Sequence, residues 1–265
     1  NFVRARETVD DSLHAAGFGA NFHFAARGFD YFAQSEPPSP LLHYWSLSVE
    51  EQFYLLWPFA LLVGYRRNPR LFTALTVSLI GITLALNLYL GLSRAVIFDP
   101  HEYDGTDTNA LPILVGAMLA IVVHNGWRTR GLRQLAPTAP LALGLLIVLA
   151  YRNDTERTAL VTVAGTAFTF LMIVGVVALP HSVYGSVMAS RPMQWLGERS
   201  YSIYLWNILA RIAILNTLGR TVIGDVVWIA MFLVLAEASY RYVEHPLRLK
   251  YAQRPGAAVP AAVEA

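Results

Sequence analysis

The sequence has no cysteine and few charged residues, and each shortage excludes a class of function. Without cysteine the chain can form no disulfide, no thiolate nucleophile and no zinc–cysteine site. Charged residues make up 14% of the 265 residues, against about 25% in a typical soluble domain. The net charge of +2 is too small to indicate binding to nucleic acid. The composition therefore argues against a disulfide scaffold, a nucleic-acid-binding protein and a water-soluble enzyme.

Apolar residues are abundant instead, at 55% of the chain with a mean hydropathy of +0.43. That excludes a disordered chain, whose signature is low hydrophobicity. A membrane-spanning helix needs about 20 mostly apolar residues. Seven segments approach this length, and they are 44–65, 71–92, 108–125, 138–151, 158–179, 200–218 and 222–243. We predict an all-α fold, a polytopic transmembrane helical bundle of about seven spans. The transmembrane domain covers 1–250, and a disordered cytoplasmic tail covers 251–265.

The charged residues between these segments predict which side of the membrane each connector occupies. Alternate connectors hold twelve basic residues against three acidic ones, and the others hold five against nine. Connectors rich in Arg and Lys stay in the cytoplasm. We therefore expect a multi-pass protein of the bacterial cytoplasmic membrane, with its C-terminus inside and the segment before Tyr44 outside. Residues 9–24 precede the spans and are mildly apolar, typical of a helix end or of a helix on the membrane surface.

The first predicted span carries polar residues on one side. At 100° per residue, a single stripe about 80° wide contains His43, Ser46, Glu50, Tyr54 and Trp57. A charged side chain in hydrocarbon costs at least about 2.5 kcal/mol, so such residues usually face a cavity or a partner. The stripe is compatible with a polar cavity, or with a helix end at the interface surrounded by aromatic residues.

Two neighbours of this stripe have separate expectations. Glu51 lies off the stripe, and we expect a structural role in which it anchors the helix to a neighbouring arginine. Pro58 lies within the helix and should kink it, because proline cannot donate the backbone hydrogen bond.

The segment 99–109 holds four acidic residues and one histidine. They could bind a metal, but the Asp-Pro and Asp-Gly steps are typical of turns, with Asp107 or Thr108 as the cap of the next helix. We expect capping here, and no metal site in the chain.

The last two predicted spans also carry polar residues. Tyr204, Asn207 and Arg211 fall on one face, where Arg211 either meets a polar partner or extends to the outer interface. Glu237 and Arg241 are four residues apart, and we expect a structural ion pair between them.

Five segments together resemble bacterial acyltransferase family 3, a family of integral-membrane O-acyltransferases of surface polysaccharides. The most specific is Pro-Leu-Leu-His-Tyr-Trp-Ser-Leu-Ser-Val-Glu-Glu-Gln-Phe-Tyr-Leu-Leu-Trp-Pro at 40–58. Weaker matches follow in the family's order at 105–110, 114–117, 195–207 and 239–246. The resemblance extends from about residue 21 to residue 248, nearly the whole chain.

The resemblance implies a fold of about ten transmembrane helices, of which the seven predicted here would be the last seven. The chain begins at Asn1, and the family's first helix, which carries a general-base histidine and an upstream arginine, has no counterpart in it. We therefore expect an N-terminally truncated chain that is inactive alone. Asn109 stands where the family usually has arginine, and Asn207 where it has histidine.

The activity implied is transfer of an acyl group, most simply acetyl, to a hydroxyl of a cell-surface carbohydrate or glycoside. The donor substrate would be acyl-CoA, and no cofactor would be bound permanently. The other partners would be the lipid bilayer and the carbohydrate acceptor. Catalytic roles are expected for Glu50 and His43. Substrate-binding roles are expected for seven residues, namely Trp45, Ser46, Tyr54, Asp107, Tyr204, Asn207 and Arg211.

Two other functions are compatible with the sequence. One is a catalytically inactive fragment or family member that binds glycan or a protein partner. The other is a small-solute transporter, because intramembrane acids also mark ion pathways; no internal repeat supports it.

Overall fold

A computed structural model describes residues 2–27, 39–93, 100–126, 130–152 and 158–252. These residues form helices and short turns with no β-strand, which confirms the predicted all-α class. The helices are α1 Phe2–Ala16, α2 Ala20–Arg27, α3 Tyr44–Ala60, α4 Pro69–Leu92, α5 Pro100–Asp104, α6 Thr106–His124, α7 Arg130–Leu135, α8 Ala139–Arg152, α9 Thr158–Ala178, α10 Val183–Met188, α11 Arg191–Leu218, α12 Val222–Ser239 and α13 His245–Ala252. Of the predicted disordered tail, residues 253–265 lie outside the described residues, and the first two residues belong to α13.

Five helical stretches among the described residues are long and apolar enough to cross a membrane. They are Pro69–Leu92, His101–His124, Gly131–Tyr151, Ala159–Ala178 and Val222–Lys250. The chain is thus a multi-pass membrane protein. The other two predicted spans are also helical, in α3 and α11. Their polar residues make them less apolar than the five helices above. The count of seven spans stays a prediction.

Local sequence explains several helix boundaries. Asn68 caps α4 by accepting a hydrogen bond from the backbone N–H of Leu71 at 3.1 Å, and Pro69 follows at a position where no N–H is needed. Pro58 lies inside α3, and three residues later the helix widens into a π-helical turn over Leu61–Tyr65. The irregularity that the structure shows in this helix is the π turn, and the kink expected at Pro58 stays a prediction.

The chain divides into two compact units, and the first comprises residues 1–189. In it α4, α6 and α9 pack against one another, and α8 packs along α9. Glycine permits the closest approaches: a Cβ atom at Gly175 of α9 would lie 2.3 Å from the Cβ of Ala139. A Cβ at Gly91 of α4 would lie 2.6 Å from Leu160. Small residues at such crossings are typical of membrane helices, which associate by close packing.

The expectation of one helical segment over residues 9–24 is replaced by two helices. Helix α1 ends at Ala16, and α2 begins at Ala20. Phe18 between them has a left-handed backbone with φ of 59°, which reverses the chain. Helix α2 then packs against both α3 and α5.

The second unit comprises residues 190–265, and its described part contains a pair of long helices, α11 and α12, followed by α13. The two run antiparallel, because Arg211 meets Trp228 near the connection and Arg199 meets Glu237 far from it. Gly219 has a φ of 64° in the short connection, where a side chain would be strained. A second π turn, Tyr240–Glu244, joins α12 to α13.

Candidate active site

Three amide and hydroxyl side chains from different helices form a closed ring of hydrogen bonds in the first unit. Asn21 Nδ2 of α2 donates to Thr106 Oγ1 of α6, and Thr106 Oγ1 donates to Gln52 Oε1 of α3, each at 2.9 Å. Gln52 Nε2 donates back to Asn21 Oδ1 at 2.9 Å. Gln52 also donates to the carbonyl of Phe18 at 2.7 Å. We call Asn21, Gln52 and Thr106 the polar ring.

The polar ring fixes the rotation of α3, because Gln52 reaches its partners only when its side of the helix faces α2 and α6. Two further contacts act in the same direction. The backbone N–H of Ala20 donates to Ser48 Oγ at 3.2 Å. The ring of Trp45 packs against the ring of Tyr103 in α5, with 4.9 Å between the ring centroids. The orientation of every other side chain on α3 follows from these contacts.

With α3 held in this way, its predicted stripe divides into packed and open parts. His43 is 2% exposed, and Ser46 Oγ donates to the His43 carbonyl at 3.3 Å. Trp57 stacks on Phe53 at 4.9 Å. Glu50 and Tyr54, between these ends, are exposed. The structure thus presents the carboxylate of Glu50 on an open face of α3, one helical turn from Tyr54. Glu51, beside it, is half-buried.

The segment before α6 differs from the expectation. Gly105 is the N-cap residue of α6, so the prediction that Asp107 or Thr108 caps this helix was wrong. A Cβ at position 105 would lie 2.5 Å from the carbonyl of His101, which explains the glycine. Thr108 Oγ1 donates to the Gly105 carbonyl at 2.9 Å. Asp107 is half-exposed, and its carboxylate lies 3.1 Å from His101 Nε2.

The two asparagines that depart from the family pattern both have local hydrogen bonds. Asn109 Nδ2 donates to the carbonyls of Tyr103 and Gly105, at 2.8 and 3.0 Å, and so ties α5 to α6. Asn207 Nδ2 donates to the Tyr204 carbonyl at 3.2 Å. Each amide thus donates to backbone carbonyls close to it in sequence.

In the second unit, the predicted face of α11 meets a tryptophan of α12. Trp228 Nε1 donates to the carbonyl of Asn207 at 2.8 Å. The guanidinium of Arg211 lies over the Trp228 ring, 4.9 Å from its centroid. This cation–π contact is a partner that neither expectation for Arg211 included. Tyr204, Asn207 and Arg211 remain on one side of α11.

Sequence reasoning missed the residue at the centre of the charged cluster in this unit, Arg199. It is 9% exposed, and its guanidinium bonds to the carboxylates of Glu237 and Glu198. It also lies over the ring of Tyr240 at 4.3 Å. Arg241, at the predicted i, i+4 spacing, lies 3.2 Å from Glu237 and is mostly exposed. Glu237 therefore has two arginine partners, and the buried one lies 38 residues away along the chain.

The polar ring was missed for the same reason, since its members are far apart in sequence. Gln52 and Thr106 do lie inside the two family-like segments at 40–58 and 105–110. Their position inside family-like segments was a usable signal for both residues. Asn21 offered no comparable signal.

Comparison with known protein families shows which family the sequence matches. Residues 12–237 match the family described as an acyltransferase domain. The chain belongs to this acyltransferase family. All three members of the polar ring lie within the matched region, as do Glu50 and Arg199. The sequence-based resemblance is thereby confirmed.

Three curated relatives cover most of the chain. A putative peptidoglycan O-acetyltransferase, YrhL of Bacillus subtilis, is 31% identical over 90% of this chain and 39% of its own length. The peptidoglycan O-acetyltransferase OatA of Listeria monocytogenes is 29% identical over 90% of this chain and 40% of its own. The O-acetyltransferase OatA of Staphylococcus aureus is 28% identical, over 91% and 41%. The chain thus spans about two fifths of the length of these relatives. No solved structure matches.

Proposed function

We propose that the protein containing this chain is a membrane O-acetyltransferase that esterifies a hydroxyl of a cell-surface carbohydrate, with peptidoglycan as the first acceptor to test. Two relatives are named for peptidoglycan O-acetylation, which supports this acceptor class. The observation that carries the proposal is the polar ring. It ties the most family-like segment, in α3, to the family-like segment at the start of α6. The polar ring therefore holds the side chains of α3 at a fixed angle, which a positioned catalytic group requires.

The donor in this proposal is acetyl-CoA. The acceptor hydroxyl oxygen attacks the thioester carbonyl carbon, the C–S bond breaks, and CoA leaves as its thiol while the sugar gains an ester. Such a reaction needs a base for the hydroxyl proton and donors for the oxyanion. Glu50, exposed on α3, is suited to accept a hydrogen bond from the hydroxyl or to orient the base. His43 lies about two turns away, at the N-cap of the same helix.

Substrate-binding roles follow for the remaining candidates. Trp45 is half-buried and offers an aromatic face to the apolar side of a sugar ring, and Ser46 and Tyr54 offer hydroxyls. Asp107 lies half-exposed beside His101 and is available to a polar ligand. In the second unit, Tyr204, Asn207 and Arg211 form a further group on one side of α11. The guanidinium of Arg211 suits an anionic substrate group.

Orientation is part of the proposal: the C-terminus lies in the cytoplasm of a bacterial cell and the segment before α3 lies outside its cytoplasmic membrane. Reporter fusions after Arg67, Arg133 and Lys250 should then report cytoplasm, and a fusion at Asp104 the outer side. A cytoplasmic signal at Asp104 would contradict this topology.

The catalytic assignment is tested by Glu50→Gln in the native gene. Glutamine is nearly isosteric and keeps an acceptor oxygen, so membrane insertion should survive while the charge is lost. We expect acetyl transfer to fall by about 100-fold, the usual contribution of a positioned acid or base. The assay is transfer of labelled acetyl from acetyl-CoA to surface glycan in isolated membranes, divided by the amount of inserted protein.

Glu51→Gln is the matched control, because it changes the adjacent carboxylate on a different side of the helix. It should lower protein yield more than turnover per molecule. Near-normal transfer by Glu50→Gln would remove Glu50 from the active site. Transfer that requires no acetyl-CoA would instead remove the proposed donor.

A further inference from the structure

Two aspartates and two histidines meet where α1 turns back into α2. Asp10 and His14 lie one turn apart on α1, and the chain reversal at Phe18 brings His23 of α2 alongside. The two imidazole rings stack, with centroids 3.9 Å apart and planes 15° from parallel. Asp11 lies 2.9 Å from His23 Nε2. We call these four residues the His–Asp cluster. None of them belongs to the candidate active site.

The spacing within the His–Asp cluster fits a metal ion. One ligand atom each from Asp10, His14 and His23 lies within 4.8 Å of the other two. The Asp10 carboxylate bridges the imidazoles, with Oδ1 3.7 Å from His14 Nδ1 and Oδ2 3.7 Å from His23 Nε2. Ligands at about 2.0–2.2 Å from a tetrahedral zinc ion are separated by roughly 3.3–3.6 Å. The observed carboxylate–imidazole distances are close to this value. His14 Nδ1 is bonded to the Asp10 carbonyl at 2.9 Å and the two rings lie nearly parallel, so binding one ion also requires the rings to rotate toward it.

The surroundings also resemble those of a built site. Asp11 is only 3% exposed in its side chain and is held by Ser39 Oγ at 2.6 Å and by Arg27 at 3.1 Å. The Asp11 carboxylate contacts His23 Nε2 from the buried side and so helps to hold this ring next to Asp10 and His14. His14 and Asp10 are near half-exposed, which leaves the cluster open to an ion from solution.

We propose that Asp10, His14 and His23 bind one divalent cation of the zinc class, with water completing the coordination and the Asp11 carboxylate beside His23. Imidazole with carboxylate suits zinc and its neighbours, whereas magnesium and calcium prefer oxygen ligands alone. The ion would link α1 to α2. Its ligand in α2, His23, lies two residues after Asn21 of the polar ring. This departs from the sequence-based expectation of no metal site, which considered only the acidic segment at 99–109.

Arg27 is the internal competitor for these carboxylates. Its guanidinium lies 3.1 Å from Asp11 and 3.5 Å from Asp10. A bound cation takes over the neutralisation of Asp10, so the longer of the two contacts must open. Arg27→Gln should therefore strengthen metal binding, whereas loss of a ligand should weaken it. If the cluster is only a set of ion pairs, Arg27→Gln should destabilise the turn and produce no gain in metal binding.

The experiment uses the full protein without a polyhistidine tag, purified in detergent and stripped with EDTA. Calorimetry with zinc chloride and metal analysis after dialysis should give one zinc ion per chain, with no binding of magnesium chloride under the same conditions. Asp10→Asn, His14→Gln and His23→Gln should each lower zinc affinity by at least about tenfold. His101→Gln is the matched control, since it removes a histidine from another His–Asp pair and should leave zinc binding unchanged.

The zinc-free variants also show whether a loss reflects the ligand or the fold. His14 is 44% exposed in its side chain, so His14→Gln should keep the unfolding midpoint of the zinc-free protein but lose the upward shift that zinc gives the unmodified chain. Absence of a stoichiometric zinc ion, or zinc binding that survives the double replacement of His14 and His23, would overturn the proposal. Equal weakening by His101→Gln would do the same.

Discussion

Replacing Gln52 with leucine tests whether the polar ring holds α3 in place. Leucine has a similar volume but can neither donate nor accept. The change leaves Asn21 Oδ1 without the amide that donates to it, and the Thr106 hydroxyl without its acceptor. Asn21 is fully buried and Thr106 is half-buried, so water replaces these bonds incompletely.

The expected size follows from these two groups. A buried polar group left unsatisfied costs about 1–3 kcal/mol, and the half-buried hydroxyl should fall near the lower end. The sum is about 2–4 kcal/mol. For a unit of 150–250 residues, each kcal/mol lowers the midpoint by roughly 2–4 °C. We therefore expect the unfolding midpoint of Gln52→Leu to fall by about 5–15 °C.

The assay is thermal unfolding of the detergent-purified protein at one heating rate, with Gln134→Leu as control. Gln134 is exposed on α7, so its replacement should change stability by less than about 0.5 kcal/mol. Thr106→Val completes a double-mutant cycle. Because both changes break the same ring, the double variant should be less destabilised than the sum of the singles, by about 0.5–3 kcal/mol. Strict additivity, or an equal effect of Gln134→Leu, would refute the idea that the ring acts as a unit.

The remaining predictions concern other packed positions. Arg199→Gln should destabilise the protein by about 1–3 kcal/mol, because it removes hydrogen bonds made by a nearly buried guanidinium. Glu237 is 29% exposed and keeps Arg241, so its charge is not left buried and unpaired. Arg241→Gln, at an exposed position, should cost under about 1 kcal/mol. Urea or thermal unfolding distinguishes the two variants, and equal losses would contradict the assignment of Arg199 as the central cation. Gly175→Ala should lower stability by about 1–3 kcal/mol through overpacking against α8, while Gly144→Ala, with open space around its Cβ position, should be neutral or slightly stabilising. A stable Gly175→Ala variant would show that the two helices separate easily.

Helix positions were largely predictable because they depend on local sequence. The apolar runs predicted α4, α6, α9 and α12 to within a few residues. The fourth predicted span begins at residue 138, and the structure continues its helical segment two residues further back through a 3-10 turn at Ala136–Thr138. The break between α1 and α2 was not anticipated, because mild hydrophobicity across residues 9–24 hides a reversal that depends on the conformation of Phe18.

The sequence by itself determined that this protein is helical, lies in a membrane and belongs to an acyltransferase family. Those properties rest on composition, on hydrophobic runs and on contiguous motifs, all of which are local. It also placed Arg241 within reach of Glu237, because residues four apart on a helix are neighbours. Glu50 could be assigned to a helical face from the same periodicity.

Only the tertiary structure decided which polar side chains meet. The polar ring joins residues up to 85 positions apart, and Arg199 reaches Glu237 across 38. The His–Asp cluster depends on one chain reversal that stacks His23 on His14. Helical periodicity gives the angle of a side chain around its own axis, but not the neighbour that this angle faces. That neighbour is set by how the helices pack, which requires the positions of several helices at once.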